Sequence, residues 1–257
     1  MKIIVYTSYT NKFDKLRDPI FINDNIDYIC FTNDKKIKSS IWKIKNLDLK
    51  FQNNRKNSRI HKINPHLFFK DYDWSIYVDS NVIIRGDLNK LIDEVKSHDF
   101  SIYKHPYNTK NLNEEASTII DNKLDDEKII KKQLNKYNSK IEELNKYIFP
   151  TLTVMIRKHN NEIVQKAMNT WWEEYLALSQ RDQMSFLYSA HINKLKINIM
   201  NVNVNNNKYF YKTKHYSTLP FIDQIFLDIM YFLKKNNYNS LSTLLKKYLG
   251  KYFDNNF

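Results

Sequence analysis

Asp79 directly follows the apolar run WSIYV at 74–78, and Asn81 stands two residues further on. In an extended segment, side chains at i and i+2 point the same way. The pair could therefore hold a hard divalent cation, Mn²⁺ or Mg²⁺, through oxygen. Such a cation would neutralise the charge that builds on a departing diphosphate. The same residues also read as a plain turn, because Asp and Asn bond their own backbone there. Arg59 and Lys62 are three apart in a helical-looking segment and share a face. With Arg55 they could grip phosphate, since the guanidinium fork matches its oxygens; a solvated basic face is the alternative. In Ser179-Gln180-Arg181-Asp182-Gln183, Asp182 offers a carboxylate that could stabilise a developing positive centre or take a proton. Ser179-x-x-Asp182 equally reads as a capping box at a helix start. His105 follows a strand-like run and could act near neutral pH, with Glu114 and Glu115 close behind; surface roles fit these three as well.

The elements that must position these groups alternate. Apolar, β-branched runs at 2–6, 27–32, 41–44, 74–78, 100–103, 151–157 and 196–200 predict strands. Residues 58–69 read as a helix that Pro65 cuts or kinks, so that His66 packs or caps. Residues 88–97 predict an amphipathic helix with Leu88, Leu91, Ile92 and Val95 on one face. Residues 113–147 read as polar helix, and helices are expected at 162–176 and from about 181. Trp171 and Trp172 are expected to pack helix against sheet. Strands alternating with helices imply an α/β fold with a mainly parallel sheet, in which ligands bind beyond the carboxyl ends of strands. A core domain is expected over 1–218, and a basic amphipathic helical tail over 219–257. In that tail Phe221, Ile222, Ile225, Phe226, Ile229, Phe232 and Leu233 form an apolar stripe, with lysines after it. The stripe suits an anionic membrane surface; packing on the core or on a second subunit is the alternative.

Composition removes several chemistries. The chain has 257 residues and two glycines, Gly86 and Gly250. Walker loops, G-x-G-x-x-G dinucleotide loops and glycine-flanked serine elbows are thereby excluded. Bound phosphate would have to meet side chains, a helix N-terminus or a metal. One cysteine, Cys30, excludes an internal disulfide and a cysteine zinc site, and its apolar surroundings predict a buried core thiol. A net charge of +13 implies an anionic partner without naming it. No nucleic-acid-binding module stands out. The start of the chain resembles no secretory signal, so a cytoplasmic location is expected, with possible contact at the inner face of the membrane.

Several stretches, in order, resemble the glycosyltransferase-like family of plant mucilage and pollen-tube type, within the GT-A superfamily. They are VYTSYT at 5–10, DYICFTND at 27–34, SRIHKINPHLFFKDYDWSIYVDSN at 58–81, KHP at 104–106, NEEA at 113–116, VMIRKHN at 154–160 and WWEEYLALSQRDQMSF at 171–186. The resemblance implies a Rossmann-like GT-A fold and an enzyme moving a sugar from a nucleotide-sugar, a UDP-sugar, to a glycan or lipid-linked glycan in polysaccharide biosynthesis. It implies that Tyr6, Thr7, Ser8 and Asp34 meet the nucleotide, and that Arg59, Lys62, Asp79 and Ser80 meet the donor. Asp79 and Asn81 would stand at the aspartate-x-aspartate metal motif, with Asn in place of the second Asp. His215 would be a third metal ligand, by analogy with related GT-A enzymes. Asp182, Gln183 and His105 would be catalytic; Asp-Gln at this place resembles retaining transferases. A glycan- or nucleotide-binding protein without catalysis is the second reading.

Overall fold

The computed structural model describes residues 1–10, 14–47, 49–106 and 109–249. Among these, the strands are β1 (Ile3–Tyr9), β2 (Ile26–Thr32), β3 (Lys43–Asn46), β4 (Trp74–Val78), β5 (Val82–Ile84), β6 (Phe100–Lys104), β7 (Pro150–Arg157), β8 (Asn198–Met200) and β9 (Phe210–Lys212). Seven of them form one sheet in the order β3-β2-β1-β4-β7-β6-β8, and β5 pairs with β9 in a separate ribbon. Every pairing in the large sheet is parallel except those of β7, which runs antiparallel to both β4 and β6. The expected mainly parallel α/β sheet is what forms.

The helices are α1 (Asn54–Ile63), α2 (Leu88–Val95), α3 (Leu112–Asp121), α4 (Glu127–Tyr137), α5 (Ile141–Leu144), α6 (Glu162–Ala177), α7 (Asp182–Ile192), α8 (Phe221–Lys235) and α9 (Asn239–Leu249). Strand pleating divides the core in two. On β1, Ile4 and Tyr6 face one cluster with α1, α3, α6 and α7, while Ile3 and Val5 face another with α2. The α2 stripe of Leu88, Leu91, Ile92 and Val95 is fully buried there. Cys30 is buried in the same cluster, and burial pushes its thiol up to about 12. Such a thiol stays protonated and inert.

Three local expectations shift. The third strand begins two residues later than its apolar run, because Trp42 turns inward and its indole donates to Arg17 O at 2.9 Å. The helix expected over 58–69 starts earlier, at Asn54, because Asn53 caps the Arg55 N–H at 2.8 Å. It ends at Ile63, and Pro65 opens a separate 3₁₀ turn. The C-terminal stripe also divides. Phe226 and Leu233 face inward with Leu227 and Met230, whereas Phe221, Ile222, Ile225, Ile229 and Phe232 are exposed. Residues 250–257 of the expected tail lie outside the described residues.

Strand order runs from β1 through β2 to β3 on one side and through β4 on the other. The connections therefore diverge at β1 and β4, and a crevice opens beyond their carboxyl ends.

Candidate active site

That crevice is a cavity of about 600 Å³. The end of β1 contributes Ser8, Tyr9 and Thr10, and the end of β4 contributes Tyr77, Asp79 and Ser80. One face of α1 presents Arg55, Ser58, Arg59 and Lys62, spaced i, i+3, i+4 and i+7. The start of α7 adds Arg181, Asp182 and Gln183, β7 adds Thr151 to Thr153, and His215 closes one side.

Lys62 is at the centre. Its side chain is 3% exposed, with Nζ 2.9 Å from Asp182 Oδ2 and 3.3 Å from Asp79 Oδ1. Arg59 Nε lies 3.2 Å from the same Asp182 oxygen. Tyr77 donates to Asp79 Oδ1 at 2.9 Å. Burial alone would raise the Asp182 carboxyl, but Lys62 and Arg59 outweigh it and hold the group well below the usual carboxylate range. Burial likewise opposes the Arg59 charge, and Asp182 reverses the balance, so this guanidinium stays charged. The cavity wall thus carries four cations, Arg55, Arg59, Lys62 and Arg181, against two carboxylates, Asp79 and Asp182.

The capping box, the alternative reading of Ser179-x-x-Asp182, does not form. The Ser179 hydroxyl donates to Asp125 at 2.6 Å and accepts from the Arg181 N–H at 3.1 Å. Arg181 holds the cap position without a side-chain cap, and Asp182 is the first helical residue. The buried Lys62 and the partly buried Arg59 attract the Asp182 carboxylate more strongly than a backbone N–H would. Trp171 packs in the core as expected, and its indole also donates to Asp182 O at 2.9 Å, which fixes this end of α7.

The sequence-derived candidates separate. Ser8, Arg59, Lys62, Asp79, Ser80, Asp182, Gln183 and His215 share the cavity. Gln183 donates to Pro150 O, so its amide is tied to β7. Tyr6 does not reach the cavity. It is fully buried and its hydroxyl meets Arg157 and Lys62 O. Thr7 is buried within the sheet. Asp34 serves a turn after β2, accepting from the Lys36 N–H at 2.9 Å. His105 follows β6 and does not line the cavity, its ring lying against Phe149. His66 packs, with Nε2 3.0 Å from Asn169 Oδ1.

Asn81 also departs from its expected place. The chain after β4 is a turn, closed by Val82 N–H donating to Asp79 O at 2.9 Å, so the alternation of an extended segment is lost. The Asn81 amide donates to Thr213 O at 2.7 Å. Asn81 Oδ1 is buried without a hydrogen-bond partner, and the residue borders a separate void of about 10 Å³ lined also by Asp14, Lys15 and Arg17, outside the main cavity. Asp79 Oδ1 is already engaged by Lys62 and Tyr77, and His215 Nδ1 lies 2.9 Å from Asp14 Oδ2. Among the described residues no group of three or more His, Cys, Asp or Glu side chains gathers to hold a metal. This donor set does not fit a divalent cation held as the aspartate-x-aspartate analogy expects.

One important residue had no sequence signal. Asp14 is buried in a loop and receives His215, the Ser80 hydroxyl and, at 3.0 Å, the Tyr216 N–H. Burial opposes its ionisation, yet these partners keep its carboxyl below the usual range. It orients two cavity residues from 66 and 201 positions away. No local pattern announces such a contact.

The family model of the TOD1/MUCI70 glycosyltransferase-like domain matches residues 1–215. The chain belongs to this family. The matched span takes in every cavity residue and ends on His215, before α8. No curated protein matches the chain. A TOD1/MUCI70 domain is glycosyltransferase-like by description, which agrees with a crevice at the divergence of β1 and β4 and with a cationic wall.

Proposed function

We propose that this TOD1/MUCI70 domain transfers a sugar from a nucleotide-sugar, a UDP-sugar, to a glycan acceptor in polysaccharide biosynthesis. The observation that carries this reading is the buried Lys62 ammonium between Asp79 and Asp182, in a cavity with three further arginines. A diphosphate matches that excess of positive charge. In the reaction the bond from the sugar anomeric carbon to the β-phosphate oxygen breaks, and its electron pair stays on that oxygen. The acceptor oxygen bonds to the anomeric carbon and releases its proton to solvent.

Asp182 acts by charge in this reading. A carboxyl held far below its usual range is a weak base at neutral pH, so it suits stabilising an oxocarbenium-like centre better than removing a proton. The resemblance of Asp182-Gln183 to retaining transferases favours retention of configuration. Gln183 and His215 contact the sugar or the acceptor, and Ser8 and Ser80 contact the nucleotide side.

A screen of nucleotide-sugars for turnover tests the proposal. Turnover of one UDP-sugar is expected, with a loss of about 10²-fold or more in kcat for Asp182→Ala. The second reading, a nucleotide- or glycan-binding protein without catalysis, predicts that UDP raises the Tm while no donor turns over. Unchanged turnover in both Asp79→Ala and Asp182→Ala would remove the site assignment.

A further inference from the structure

The diphosphate of a donor needs concentrated positive charge beside it, and the site contains a cation tethered where a metal would be looked for. Lys62 Nζ has a carboxylate oxygen on each side, at 2.9 and 3.3 Å, and almost no solvent access. Those two aspartates are the carboxylates that line the cavity. A divalent ion drawn to either would sit within a few ångströms of the ammonium and be repelled by it. Asn81, the other member of the Asp79-x-Asn81 pair, lies outside the cavity, its amide nitrogen donating to Thr213 O.

We propose that in this domain the Lys62 ammonium takes the place of a divalent cation, so that the donor diphosphate is bound and neutralised by Lys62 with Arg55, Arg59 and Arg181. This rests on the nucleotide-sugar reading above. An ammonium has three N–H donors; the two aspartates use two and orient the third. Asp79 and Asp182 thus position the lysine. Arg59 is fixed by Asp182, while Arg55 and Arg181 also line the cavity and supply forks for the outer phosphate oxygens. The arrangement needs no second aspartate at position 81, which accounts for an asparagine there.

Titration of the full chain with UDP by calorimetry, once in EDTA and once in Mn²⁺, tests the proposal. Binding is expected in EDTA, with Mn²⁺ changing Kd by no more than about twofold. Lys62→Met is expected to weaken UDP by about tenfold or more in both buffers, with Lys62→Arg recovering part of the loss. Because Lys62→Met removes a buried group and could unfold the chain, Arg181→Met provides an independent arm. It is expected to weaken UDP about fivefold, with no rescue by Mn²⁺. UDP binding that requires Mn²⁺ would overturn the lysine substitution and leave the transferase reading standing. UDP binding in neither buffer, by protein with a normal unfolding transition, would overturn both.

Discussion

Asp182 holds a buried Lys62 and a partly buried Arg59 on one carboxylate, and this gives it a structural role. Replacing it with Asn keeps the shape and removes the charge that Lys62 and Arg59 depend on. Breaking a buried pair by removing one partner costs about 3–5 kcal/mol; with a side chain 16% exposed, the lower end, about 3 kcal/mol, is expected at neutral pH. The folded-state pKa is depressed, so the stabilisation is present above the unfolded carboxyl pKa of about 3.9 and is lost as pH falls below it. Urea unfolding of wild type and Asp182→Asn should therefore differ most at about pH 7, and the gap should narrow progressively as pH falls below about 4. A gap independent of pH would mean that the carboxylate charge is not what holds this site together. At this scale the sequence was informative where spacing is local. Arg59 and Lys62 lie on one helix face and Asp79 follows a strand, and all three meet in the cavity. Asn81 was misplaced because i and i+2 share a face in a strand but not in the turn that forms, and Asp14 was missed because its partners come from distant segments.

Helix α1 brings Arg55, Arg59 and Lys62 to the site, yet it has little apolar surface to hold it. Of its buried residues Asn57, Ser58, His61, Lys62 and Ile63, only Ile63 is aliphatic. One such side chain is worth about 1.5–3 kcal/mol on burial. Polar contacts must complete the balance. Asn57 accepts from and donates to the Phe51 backbone at 2.8 and 2.7 Å, and His61 stacks on Phe68. At the C-terminal end, Arg157 of β7 is wholly buried and donates to Lys62 O at 3.0 Å and Ile63 O at 3.4 Å. It satisfies carbonyls that a helix end leaves open and sets a cation at the negative end of the dipole. Arg157→Met is expected to lose about 2–3 kcal/mol of stability and to speed amide exchange in α1. UDP binding should weaken although Arg157 does not line the cavity, and Arg157→Lys should recover part of each loss. Unchanged α1 exchange in Arg157→Met would show that other contacts hold the helix. Nothing local foretells this role, since Arg157 ends an apolar run that reads simply as a strand. The strands themselves were legible from such runs. The antiparallel sense of β7 was not, because a run buried on both faces carries no sign of its direction.

For the whole molecule, the unresolved balance is between charge and the outer face of α8. Its inner face packs through Phe226, Leu227, Met230 and Leu233. Asp228 fastens it to Lys15 at 2.8 Å and Arg17 at 2.7 Å, and Lys235 fastens it to Asp18 at 2.7 Å. The outer face presents Phe221 at 74% and Phe232 at 59% exposure, with Ile222, Ile225 and Ile229 beside them. A helix apolar on both sides calls for a cover. No helix among the described residues is long and apolar enough to cross a membrane, so a bilayer would be met along its surface. The net charge of +13 favours an anionic lipid face as that cover over a second, equally cationic copy of the chain. The segment that holds α8 also reaches the site: Asp14 contacts His215 and Ser80, and Tyr216 bonds both Asp14 and Asp228. A bilayer under α8 would therefore set the cavity at a fixed height above the lipid. Sedimentation with phosphatidylglycerol vesicles should show binding that weakens with salt and is absent with phosphatidylcholine alone. Replacing Phe221, Ile225 and Phe232 with Ser should abolish it by at least about tenfold in partitioning and leave the Tm and UDP binding unchanged. If the chain instead sediments as a dimer that these substitutions split, and the wild type ignores anionic vesicles, the apolar face belongs to a subunit interface and the membrane reading fails.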